Sequence, residues 1–84
     1  MRVIFDGRTI ADHFPGIGRY AYNLAGALLA LPAPPELTIL YDPRQPNTRF
    51  DLARLARAPG VKLVPSHSMA VGVVQERGFT YMRP

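Results

Sequence analysis

The sequence predicts an α/β fold with a parallel sheet, and three observations carry that prediction. Short apolar, β-favouring runs recur at Arg2–Phe5, Leu37–Tyr41 and Val61–Val64. Segments with helical spacing of apolar residues separate them, and Asp, Pro or Gly closes each run. The order β-α-β-α-β implies right-handed crossovers and strand order 3-2-1, half of a doubly wound sheet in three layers.

Each element has a local cause. Arg2-Val3-Ile4-Phe5 is a buried first strand closed by Asp6-Gly7. Ile17, Tyr20, Ala21, Leu24, Leu28 and Leu31 follow at spacings of three and four, marking one helical face. Pro32-Ala33-Pro34-Pro35 stops that helix, because proline removes donors and restricts the residue before it. The second strand, Leu37–Tyr41, ends at Asp42-Pro43. Thr48 and Asp51 have capping-box spacing ahead of a short helix with Leu52, Leu55 and Ala56 on its buried side. Pro59-Gly60 ends that helix, and Val61–Val64 is the third strand, closed by Pro65. Residues 1–65 thus form a βαβαβ, Rossmann-like half-domain, and 66–84 form a tail. In the tail Ser68 is a candidate cap for a helix over Met69–Arg77, with Gly78 as its stop. Phe79–Met82 is either a fourth strand or a loose end.

Composition narrows the class. With 84 residues the chain is at most one domain and buries only about 60–65% of its unfolded surface. Its apolar fraction of 48% is that of a globular protein. Ten Lys and Arg against six acids give a net charge of +4. The arginines are scattered, so no nucleic-acid partner is expected. Cysteine is absent, which excludes disulfides and thiol chemistry. The chain enters a strand at once, so no secretory leader is expected, and Ala21–Leu31 is too short to span a bilayer. A cytoplasmic location is expected, with contact at the inner face of a membrane left open. No metal-ligand spacing, paired carboxylates or Ser/His/Asp set is evident.

Pro15-Gly16-Ile17-Gly18-Arg19-Tyr20, at the mouth of the first helix, is the most informative run. The first N–H groups of a helix lack internal partners, and the helix dipole makes that end positive. Glycines there let a phosphate approach the backbone. A tight turn that merely starts the helix explains the same residues, and both readings stand. Gly16 to Ala21 also fits Gly-x-Gly-x-x-Gly/Ala, with Asp42 where a ribose-binding acid would sit. In that fingerprint the glycines follow the strand directly, whereas here nine residues, Gly7 to Pro15, intervene. Binding of NAD or FAD is therefore the alternative reading. A third is a binding or assembly module without chemistry.

Arg2-Val3-Ile4-Phe5-Asp6-Gly7-Arg8, then Gly16-Ile17-Gly18-Arg19-Tyr20 and Asn23-Leu24-Ala25-Gly26-Ala27-Leu28, resembles the amino terminus of family 4 glycosyltransferases, two-domain GT-B enzymes. The likeness is specific over about the first 40 residues and topological from there to Val64, and the tail from Ser66 onward does not look like the expected continuation. It implies an amino-terminal fragment of an enzyme that moves a sugar from a nucleotide-sugar donor to an acceptor with retention and without an essential metal or other cofactor. Gly16, Ile17, Gly18 and Arg19 would face the donor diphosphate. Asp6 and Arg8, matching an Asp-x-Arg at the strand end, would anchor the loop or line the acceptor side, and Asp12 and His13 would lie near an acceptor hydroxyl.

The departures are equally specific. The carboxy-terminal domain of such enzymes, with its glutamate pair eight positions apart, has no counterpart here, since the only glutamates are Glu36 and Glu76. No catalytic residue is assigned, and the chain alone is expected to be inactive. Ending the sheet after three strands would also leave one edge of the first strand open. Either Phe79–Met82 covers that edge or a second copy does, and self-association is the expected outcome.

Overall fold

A computed structural model describes residues 1–66 and 78–84. The elements run β1 (Arg2–Asp6), α1 (Pro15–Leu29), β2 (Glu36–Tyr41), α2 (Leu52–Ala56), β3 (Val61–Pro65) and β4 (Phe79–Met82). The four strands form one sheet in the order β3-β2-β1-β4. All pairings are parallel: Val3 lies beside Leu37 and Thr80, and Leu37 beside Val61. The expected 3-2-1 order of a partial Rossmann-like sheet is present. The helix expected over Met69–Arg77, with its cap Ser68, lies outside the described residues.

Alternation along the strands sorts the side chains onto two faces. Val3, Phe5, Leu37 and Ile39 form one face and pack with Ala21 and Ala25 of α1, Leu55 of α2, and Ile10 and Phe50 from the loops. Val61, Leu63 and Met82 extend this core. The other face carries Arg2, Ile4, Asp6, Glu36, Thr38, Leu40, Lys62, Phe79 and Tyr81 by the same parity. There Ile4 and Leu40 are buried, but most of their neighbours are polar.

Three sequence expectations change. The buried line of α1 is Gly18, Ala21 and Ala25, while Ile17, Tyr20 and Leu31 are exposed. Small residues mark the line of closest approach, and the larger Tyr22, Leu24, Leu28 and Leu29 pack along its borders. Thr48 does not cap α2. Asp51 is the N-cap, its carboxylate accepting from the Arg54 N–H at 3.1 Å. The edge of β1 that three strands alone would leave open is taken by β4 along Arg2–Phe5, the less favoured of the two expected outcomes, so the tail shares the sheet of the first 65 residues. With β1 internal, the strand edge on which self-association was expected is no longer available.

Candidate functional site

In a parallel α/β sheet the loops beyond the carboxyl ends of the strands are the usual place for ligands. Three such segments meet here: Gly7–Phe14 after β1, Asp42–Asp51 after β2, and Arg83-Pro84 after β4. Candidate residues Arg8, Asp12 and His13 belong to the first of them, which Asp6 precedes and the start of α1 follows.

Asp6 ends β1 and is only 7% exposed. Arg8 grips it with two parallel bonds, Nε donating to Oδ1 at 2.9 Å and Nη2 to Oδ2 at 2.6 Å. The Arg8 amide adds a bond to Oδ1 at 3.2 Å, and the Tyr81 hydroxyl donates to Oδ2. Burial pushes the Asp6 carboxyl upward, but the bonds from Arg8 and Tyr81 with the Arg8 charge outweigh it, holding it below the usual range. The same bond to Asp6 raises Arg8. Burial, followed by the bond to Asp6 and its charge, raises the Tyr81 phenol. The network anchors the root of the β1–α1 loop, and through Tyr81 it ties β4 to β1.

Asp12 joins two loops. Its Oδ1 accepts from the Thr48 and Arg49 amides at 2.9 and 3.1 Å, and its Oδ2 from the Thr48 hydroxyl at 2.8 Å. The Asp12 amide donates to the Pro46 carbonyl at 3.0 Å. Hydrogen bonds from the Thr48 side chain and amide hold the Asp12 carboxyl below its ordinary value. This explains Thr48 better than capping does. His13 is exposed and edge-on to Phe14, with ring centroids 5.0 Å apart.

The glycine run divides into two roles. Phe14 is the N-cap of α1 and Pro15 its first residue, and no side chain caps the helix. Pro15 has no N–H, and the Gly18 amide donates to the Phe14 carbonyl at 2.6 Å. The amides left at the helix start are those of Gly16 and Ile17. A Cβ on Gly18 would lie 2.7 Å from the Thr9 carbonyl oxygen and 3.2 Å from Phe50, so Gly18 lets α1 close onto its own loop. A Cβ on Gly16 would meet nothing within 4 Å. Gly18 is therefore a packing residue whose amide is engaged, whereas Gly16 leaves the helix start open. The Arg19 guanidinium sits 5.9 Å from the Phe50 ring centroid, toward the Asp42–Asp51 segment.

Beside these groups a cleft of about 310 Å³ is lined by Ile10, Tyr41, Asp42, Pro43, Gln45, Asn47 and Leu52. Asp42, in its lining, accepts from the Arg44 amide at 2.9 Å and pairs with the Arg44 guanidinium at 3.4 Å. Among the described residues no three His, Asp or Glu side chains gather in a way that could hold a metal ion. Within them, no helix is long and apolar enough to cross a membrane.

Sequence reasoning missed Tyr81, Thr48 and Arg83. Tyr81 reaches Asp6 across 75 positions, and only the pairing of β4 with β1 brings the two together. Thr48 had a local signal, but it pointed to a helix cap. No protein-family model, curated protein or solved structure matches this chain.

Proposed function

We propose that this chain is the amino-terminal part of a glycosyltransferase using a nucleotide-sugar donor, with the start of α1 turned toward the donor diphosphate. The observation that supports this reading is the pair of uncapped amides, Gly16 and Ile17, on a fifteen-residue helix whose entry loop is pinned at two points. Asp6–Arg8 fixes the root of that loop, and Asp12–Thr48 fixes its middle. A preorganised loop loses little further entropy when an anion binds. Asp6, Arg8 and Asp12 then support the loop and do not contact the donor diphosphate, while exposed His13 stands on the acceptor side. Transfer needs a second wall to orient donor and acceptor and to exclude water, so the chain alone does not turn over a nucleotide-sugar.

Titration of the isotope-labelled chain with UDP tests the reading. Amide shifts should concentrate at Gly16 and Ile17, and Gly16→Val should weaken binding about tenfold or more, the scale of one lost charge-assisted hydrogen bond, without loss of fold. UDP without effect on these amides defeats the proposal. The dinucleotide alternative rests on Asp42 at the end of β2 beside the 310 Å³ cleft. It predicts that NAD shifts Asp42 and Gln45 where UDP shifts neither.

A further inference from the structure

Passing from β1 to β2 to β3, the chain moves outward across the sheet, and β4 then returns to the opposite side of β1. The carboxyl ends of β1 and β4 therefore flank the point where the winding reverses, the general position of ligand crevices in open α/β sheets. A cleft of about 130 Å³ opens there, lined by Asp6, Arg8, Thr9, Arg83 and Pro84. Its charged side chains are one carboxylate, Asp6, and two guanidinium groups, Arg8 and Arg83. Arg8 is oriented by its two bonds to Asp6, and Asp6 is held in turn by Tyr81. A guanidinium fixed in this way keeps its direction without a ligand, which reduces the entropy lost when an anion binds. Arg83 lines the same cleft, as does Thr9, whose hydroxyl is a neutral donor type.

We propose that this cleft binds a compact oxyanion, a phosphoryl or carboxylate group of a small molecule, between Arg83, Thr9 and the Asp6-oriented Arg8. Its donors are separate from the Gly16 and Ile17 amides, so the site goes beyond the donor reading and does not depend on it. Arginine suits the role because its planar fork matches both kinds of oxyanion and stays charged at any working pH.

The test is a titration of the labelled chain with inorganic phosphate and, separately, with acetate, at constant ionic strength set by chloride. Saturable shifts of the Thr9 and Arg83 amides with either anion support the site. Arg83→Ala, at an exposed position, should keep the fold and weaken that binding about tenfold, one lost charge-assisted hydrogen bond. Shifts confined to Gly16 and Ile17, shifts reproduced by chloride alone, no shift at all, or an unchanged affinity in Arg83→Ala each overturn the proposal. UDP binding at Gly16 and Ile17 is read in the same spectra, so failure of one site is distinguishable from failure of the other.

Discussion

The two faces of the sheet are built on different physics. On the face that carries α1 and α2, Val3, Phe5, Leu37 and Ile39 are each 1% exposed or less and pack in one hydrophobic cluster. On the opposite face the contacts are directional. Arg2 pairs with Glu36 at 3.5 Å and stacks over Phe79 at 4.2 Å, while Asp6, Arg8 and Tyr81 form their network further along the strands. The first face supplies stability through area removed from water, which tolerates many shapes of side chain. The second selects a register, because a slip of β4 by one residue would carry Tyr81 away from Asp6 and to the other face. Ile4 and Leu40 add apolar burial on the second face as well, so what sets that face apart among the described residues is its directional contacts.

The largest test of this division is Phe5→Ala. Phe5 is fully buried among the residues that join the sheet to α1, and its truncation should cost about 3–5 kcal/mol. That is a large share of what a domain of this size has, at roughly 0.05–0.15 kcal/mol per residue. Urea denaturation would measure it, and a loss no greater than that of Tyr81→Phe would break the comparison.

Next comes the glycine pair at the start of α1. Gly18→Val places a Cβ against the Thr9 carbonyl and should destabilise by about 1–3 kcal/mol. Gly16→Ala meets open space, and the better helix former should leave stability unchanged or raise it by up to about 1 kcal/mol. Melting curves of both variants decide whether the close approach lies at Gly18 alone.

Tyr81→Phe sharpens the comparison from the polar side. It removes one donor to Asp6 and should cost about 1 kcal/mol near neutral pH. The sign of the pH dependence follows from the direction of each shift. The Asp6 carboxyl is lowered in the folded chain, so its contribution is complete above the unfolded value of about 4 and is lost as pH falls through the folded value. Tyr81 is raised, so its contribution is complete below the unfolded value of about 10 and is lost as pH rises through the folded one. The stability gap between wild type and Tyr81→Phe should therefore narrow below about pH 4 and above about pH 10. Paired denaturation curves across that range would measure it, and a gap independent of pH would show that the hydroxyl does not act through Asp6.

Residue pattern alone determined the three strands, their 3-2-1 order and the two helices between them. Those features arise from local alternation, helical spacing and the punctuation of Pro32–Pro35, Pro43 and Pro59-Gly60, all of which act within a few residues. The loop after β1 and the glycines at the mouth of α1 were equally visible. Tertiary structure alone decided which side of α1 is buried, because small Gly18, Ala21 and Ala25 acquire meaning only when the helix reaches the sheet. It also separated Gly16 from Gly18, set Thr48 on Asp12 instead of on α2, and placed β4 beside β1. These outcomes depend on groups that meet across tens of residues, where a hydrogen bond or a steric contact is fixed by geometry and leaves no period in the sequence.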